Sequence, residues 1–91
     1  MSYSVLLSDK AQKALQKLDR YQAKIIVSWI KKNLDGCDNP RLYGKALDSD
    51  FKGYWRYRVG DYRLIANIQD NLLVIEIVRV GHRREIYEEQ L

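Results

Sequence analysis

Residues 54–68 read YWRYRVGDYRLIANI, and their spacing decides the fold. In 54–59 the apolar Trp55, Tyr57 and Val59 alternate with Arg56 and Arg58, the period of two expected of a strand with one face on a core. Gly60 and Asp61 form a two-residue hairpin turn with glycine first, and 62–68 runs back beside the first strand. A turn of that length pairs Val59 with Tyr62 and sets Arg58 directly across from Arg63, on the same face as Arg56. Like charges so opposed destabilise a hairpin. The three arginines therefore predict an anion held between them, the alternative being that each pairs with a carboxylate such as Glu76 or Asp61.

Beyond this hairpin, Asp70 and Asn71 turn the chain into 72–80 (LLVIEIVRV), an almost continuously apolar run that reads as a central strand. Gly81 then lets the backbone turn sharply, and a short helical segment begins at about Arg84. Towards the N-terminus, 36–53 is rich in turn formers and without a sustained period, so it reads as a connecting loop. Before it, Ile25, Ile26, Trp29, Ile30 and Leu34 follow helical spacing, started by Asp19 and ended by Gly36 and Pro40. Ser8 caps an earlier helix with Ala11, Ala14, Leu15 and Leu18 on one stripe and Lys10, Lys13 and Lys17 facing water. Residues 3–7 (YSVLL) read as a first strand. The expected architecture is α+β: an N-terminal strand, a two-helix hairpin and a three-stranded antiparallel meander, with the helices on one sheet face and a short C-terminal helical segment.

A chain of 91 residues is expected to form one domain, residues 1–91, since domains span roughly 50–250 residues. The apolar stretch at 5–7 is too short for a secretion signal, and no run approaches the ~20 apolar residues of a membrane helix. The expectation is a cytoplasmic protein with no membrane partner. Cys37 is the one cysteine, which leaves no internal disulfide and, with a single histidine, no Cys/His set for a closed zinc site.

The net charge of +4 suggests an anionic partner. Its distribution says more. Seven of the eight lysines lie in 10–45, whereas six of the eight arginines lie in 56–84: Arg56, Arg58, Arg63, Arg79, Arg83 and Arg84. Arginines gathered on strands suit oxyanions, because the planar guanidinium binds them bidentately.

The stretch VGHRREIY (80–87) adds titratable groups to those cations. If Arg84 to Tyr87 begin a helical turn, His82, Arg83 and Tyr87 project near the mouth of the arginine-bearing face. An imidazole, ordinarily titrating near ~6.5, suits proton transfer at neutral pH. Tyr87 becomes a useful acid or base when guanidinium groups lower its pKa from ~10; its plainer role is to anchor the tail to the sheet. Tyr57 and Tyr62 fall on the core-facing register, leaving Tyr54 as the tyrosine of this region placed to stack on an unpaired base. Cations, an imidazole and a phenol suit RNA cleavage by the ribose 2′-OH, in which a base removes that proton, cations stabilise the phosphorane and an acid protonates the leaving 5′-oxygen. No metal or cofactor is called for. The alternative is a non-catalytic phosphate-binding module.

The order of elements, the stretch YWRYRVGDYRLI (54–65) and the ending VGHRREIY resemble the RelE toxins of bacterial and archaeal toxin–antitoxin pairs, within the wider RelE/ParE group, over nearly the whole chain. The resemblance implies an endoribonuclease that enters the ribosomal A site and cleaves mRNA there, leaving a 2′,3′-cyclic or 3′-phosphate and a 5′-hydroxyl. It also implies a cognate RelB-like antitoxin that wraps the toxin and, as a complex, represses its own operon, so that operator DNA is met only through that complex. By the same resemblance Arg63 holds the scissile phosphate, Arg83 protonates or stabilises the leaving oxygen, and Tyr87 is the terminal tyrosine of the family's site. Lys52 helps to hold RNA backbone. Arg56 and Arg58 stand where the best-studied relatives have lysines, and arginine does not readily give up its proton. That moves the role of base towards His82. The ParE branch poisons DNA gyrase and typically lacks the histidine and tyrosine ending, so His82, Arg83 and Tyr87 favour the ribonuclease branch.

Overall fold

The computed structural model describes residues 1–47 and 52–84. Its elements are β1 (Ser4–Leu7), α1 (Asp9–Lys17), α2 (Arg20–Asn33), β2 (Lys45–Ala46), β3 (Trp55–Val59), β4 (Tyr62–Gln69) and β5 (Val74–His82). The fold is α+β, but its sheet has five strands in the order β1-β5-β4-β3-β2 rather than the expected three. The meander β3-β4-β5 is present and antiparallel, and a strand is added at each edge. β1 joins β5 in parallel, and β2 pairs with β3 out of the segment expected to be loop. Both additions satisfy backbone groups that an isolated meander leaves open at its edges.

Both helices begin where the sequence places them. The Ser8 side chain accepts from the Ala11 amide at 3.1 Å, and that of Asp19 from the Gln22 amide at 2.9 Å, each satisfying a donor that the first turn leaves open. Ala11 and Leu15 of α1 and Ile26, Ile30 and Leu34 of the second helical stretch are buried together with Tyr57, Leu64, Ile75 and Ile77. Ile25, expected on that stripe, is instead 40% exposed: it stands one residue, about 100° of helix, off the buried line. Trp29 packs its ring against Tyr57 at 5.7 Å, so α2 covers β3.

The hairpin register is as the turn length predicts: Val59 pairs with Tyr62 and Arg58 faces Arg63. Gly60 lies at φ +60, the left-handed value that a glycine-first hairpin turn requires. The next turn is longer than Asp70–Asn71. Gln69 pairs with Val74, so Leu72 and Leu73 belong to the loop, with Leu73 at φ +54.

One irregularity in β5 matters for function. Ile65 pairs with Arg79 but Ala66 pairs with Ile77, so Val78 is an extra residue, a β-bulge. Ser8 Oγ donates to the Val78 carbonyl at 3.0 Å, and the Ser8 amide to that of Ile77 at 2.9 Å, so the helix cap also completes the bulge. Past the bulge the alternation is inverted. Arg79 and Gly81 lie on the face of Arg63, whereas Val80 and His82 lie on the helix-covered side, opposite Leu64 and Tyr62.

Candidate functional site

Arg56, Arg58, Arg63 and Arg83 line one concavity of about 380 Å³ together with Gly44 and Lys45. Five of these six residues are cations, and none is acidic. A volume in the range of roughly 300–1,000 Å³ typical of small-ligand sites suits an anionic group rather than a flat charged surface.

The strands explain the grouping. Arg56 and Arg58 share the outward face of β3, Arg63 stands across from Arg58, and Lys45 stands across from Arg56. Arg63 pairs in turn with Gly81 of β5. Gly81 lies within β5 and does not turn the chain away, as its position before His82 had suggested. Arg83 is held by its amide, which donates to the Asp61 carbonyl at 2.8 Å and carries the β4–β5 pairing one step further.

The cations differ in exposure. Arg58 is exposed and Arg56 half-buried, but Arg63 is only 2% exposed, because β4 is the middle strand and its outward side chains are flanked on both sides. One Arg63 Nη donates to the Tyr62 carbonyl at 3.3 Å. Arg79, which the sequence reading assigned no role, is the other buried charged residue among those described.

His82 does not line this pocket. The bulge turns it to the other side, where its ring meets Tyr62 edge-on at 5.6 Å, with Nδ1 accepting from the Arg84 amide at 3.3 Å. With Asp61, Arg83 and Arg84 it lines an adjoining depression, and Arg83 borders both. Tyr87 and the expected C-terminal helical segment lie outside the described residues. Lys52 is exposed in a turn and Tyr54 is half-buried beside β3; neither lines the pocket. Tyr57, on the core-facing register as expected, is fully buried, and its hydroxyl donates to the Pro40 carbonyl at 2.5 Å. Burial pushes that phenol's pKa well above its ordinary value.

Lys45 and Gly44 are site residues that the sequence reading missed. They arrive on a segment pinned at several points. Trp55 Nε1 donates to the Tyr43 carbonyl at 2.7 Å, and Arg41 makes two bonds to Asp70, at 2.9 and 3.0 Å. Tyr3 donates to the same carboxylate at 2.6 Å. Arg41, and after it Tyr3, hold the Asp70 pKa down to about 2. Gly44, at φ +82, has no room for a side chain: a Cβ there would lie 2.2 Å from the Arg56 carbonyl oxygen. Only glycine lets this segment close on β3 and deliver Lys45 to the rim.

Comparison with known proteins adds lineage to this geometry. Residues 5–87 match the model of a family described as ParE toxin of type II toxin–antitoxin system, parDE. The toxin RelE of Mycobacterium tuberculosis is 32% identical over 85 residues, 93% of this chain and 86% of that protein. Among solved structures, the toxin–antitoxin complex RelBE2 of M. tuberculosis contains a chain 30% identical to this one, with a TM-score of 0.83 over 91% of this chain and 93% of its own. A double arginine-to-alanine mutant of the E. coli toxin RelE in the free state, 22% identical with a TM-score of 0.74 over 98% of this chain and 94% of its own, shares the fold. With a cation-lined pocket on that fold and a family match over most of its length, the chain belongs to the RelE/ParE superfamily of toxins from type II toxin–antitoxin systems.

Proposed function

We propose that this toxin is a metal-independent endoribonuclease that acts in the cytoplasm and cuts mRNA in the ribosomal A site. One observation carries the reading: five cations converge on a pocket whose lining, among the described residues, includes no carboxylate. Such a site favours a group whose negative charge grows along the reaction, as it does on a phosphodiester passing to a phosphorane.

In the proposed reaction the 2′-oxygen of the ribose gives up its proton and bonds to the adjacent phosphorus. The bond from phosphorus to the 5′-oxygen then breaks, and that oxygen takes up a proton. Products are a 2′,3′-cyclic phosphate and a 5′-hydroxyl. Arg63 holds the non-bridging oxygens from a position fixed by its burial, with Arg56 and Arg58 beside it. Arg83, at the pocket margin, faces the leaving oxygen. His82 is the proposed base, although it faces the adjoining depression that Arg83 also borders rather than the pocket itself, and Tyr87 completes the set. Lys52 and Tyr54 are assigned to flanking RNA, the first as a backbone contact and the second as a stacking surface.

The proposed regulator is a RelB-like antitoxin, supported by the relatives solved as RelBE complexes. Operator DNA is then contacted only through that complex. The ParE description of the matching family favours a second reading, a toxin acting on DNA gyrase. Toeprinting on translating ribosomes separates the two. Cuts inside the A-site codon are expected; intact mRNA together with inhibited gyrase supercoiling would establish the second reading instead.

A further inference from the structure

We infer that the cationic pocket is built for two successive phosphates, with Lys45 and Arg56 holding the one next to the phosphate held by Arg58, Arg63 and Arg83. The inference rests on the nucleic-acid reading above and deepens it by giving the strand a register across the sheet.

The cations fall into two cross-strand pairs. Lys45 of β2 opposes Arg56, and Arg58 opposes Arg63 of β4. Residues directly opposed on antiparallel strands project from the same face, so both pairs point into the one pocket they line. The pairs stand two residues apart along β3, about 6.6 Å at ~3.3 Å per residue. That is comparable to the step between neighbouring phosphates of an extended single strand. Arg83 adjoins the Arg63 pair, because the amide that fixes it bonds to Asp61 at the hairpin end.

The two pairs also differ in kind. Arg63 is enclosed, and its fork is preorganised for one phosphate; Lys45 is exposed on a two-residue strand and offers a compact ammonium suited to a phosphate that only passes through. The conformation of Gly44 places Lys45 there rather than in open solvent.

The test compares two probes at low salt by NMR titration: inorganic phosphate, which can occupy one position, and a 2′-O-methyl trinucleotide with two phosphodiesters, which cannot be cleaved. Lys45→Gln is expected to weaken the trinucleotide roughly five- to tenfold and to lower its salt slope by about 0.7, the value of one lost contact to a single strand. Inorganic phosphate should bind this variant as it binds the wild type. Lys45→Arg restores the trinucleotide, and Lys13→Gln, on the solvent side of α1, changes neither probe. Equal weakening of both probes by Lys45→Gln, no weakening of either, or failure of the wild type to bind the trinucleotide would overturn the two-phosphate site. Normal trinucleotide binding without ribosomal cleavage would instead remove the nuclease reading and leave this site standing.

Discussion

Arg63 lines the pocket while keeping only 2% of its surface in solvent, so one side chain serves packing and, in the proposed function, anion binding. Arg63→Ala is therefore expected to lose cleavage and also to lower stability, since it leaves a gap in the middle strand. Arg63→Lys, which keeps charge and most of the volume but not the fork, isolates the first effect; a fall in cleavage of about 10²–10³-fold on ribosomes with an unchanged urea midpoint is the expected result. Arg83 is exposed, so Arg83→Ala should give a comparable loss of cleavage without loss of stability. His82→Gln should slow cleavage more at neutral than at alkaline pH, and an unchanged pH profile would remove His82 as base. The grouping of Arg56, Arg58 and Arg63 was legible in the sequence because strand alternation and turn length are local rules. The position of His82 was not. Its side of the sheet depends on the bulge at Val78, which no local pattern announces in an almost continuously apolar run.

Ser8 shows how one element sets another. Its side chain caps α1 and donates to the bulged carbonyl of Val78, so Ser8→Ala removes a helix cap and strands a strand carbonyl in one step. A loss of about 1–3 kcal/mol, read from urea unfolding, is expected. Gly44→Ala brings a Cβ to 2.2 Å from the Arg56 oxygen and should force β2 off the sheet, weakening polyanion binding together with stability. A variant that bound the trinucleotide normally would show that β2 is dispensable to the pocket. Both helices, their caps and the interior place of β5 could be read in advance, since each rests on spacing within a dozen residues. β1 could be read as a strand but not its parallel place at the sheet edge, and β2 could not be read at all. β1 finds its partner some seventy residues away, and β2 has only two residues, too few to show a period. The outer edge of β1 is also covered: the Asp35 carboxylate accepts from the Val5 amide at 3.4 Å, and Gln12 Nε2 donates to the Leu7 carbonyl at 3.0 Å. Such covering suppresses pairing with other chains.

At the scale of the whole molecule, Asp70 gathers Tyr3 from just before the first strand and Arg41 from the segment before β2, tying three distant parts of the chain through one carboxylate. Its pKa, lowered from 3.8 to about 2, gives the sign of the pH effect. The folded state favours the ionised form, so this contribution is complete above the unfolded value and fades as pH falls towards 2. Wild type should thus lose stability between pH 3.8 and about 2 more steeply than Asp70→Asn, with the two unfolding curves converging at the acid end. Because the pair is solvent-accessible, added salt should shrink the difference. The parallel union of β1 with β5 has a consequence for assembly. The first strand made has no neighbour to join until the latest of the five emerges; β2, β3 and β4 can pair before then, but β1 and the helix it leads into close onto the sheet last, across the longest loop in the chain.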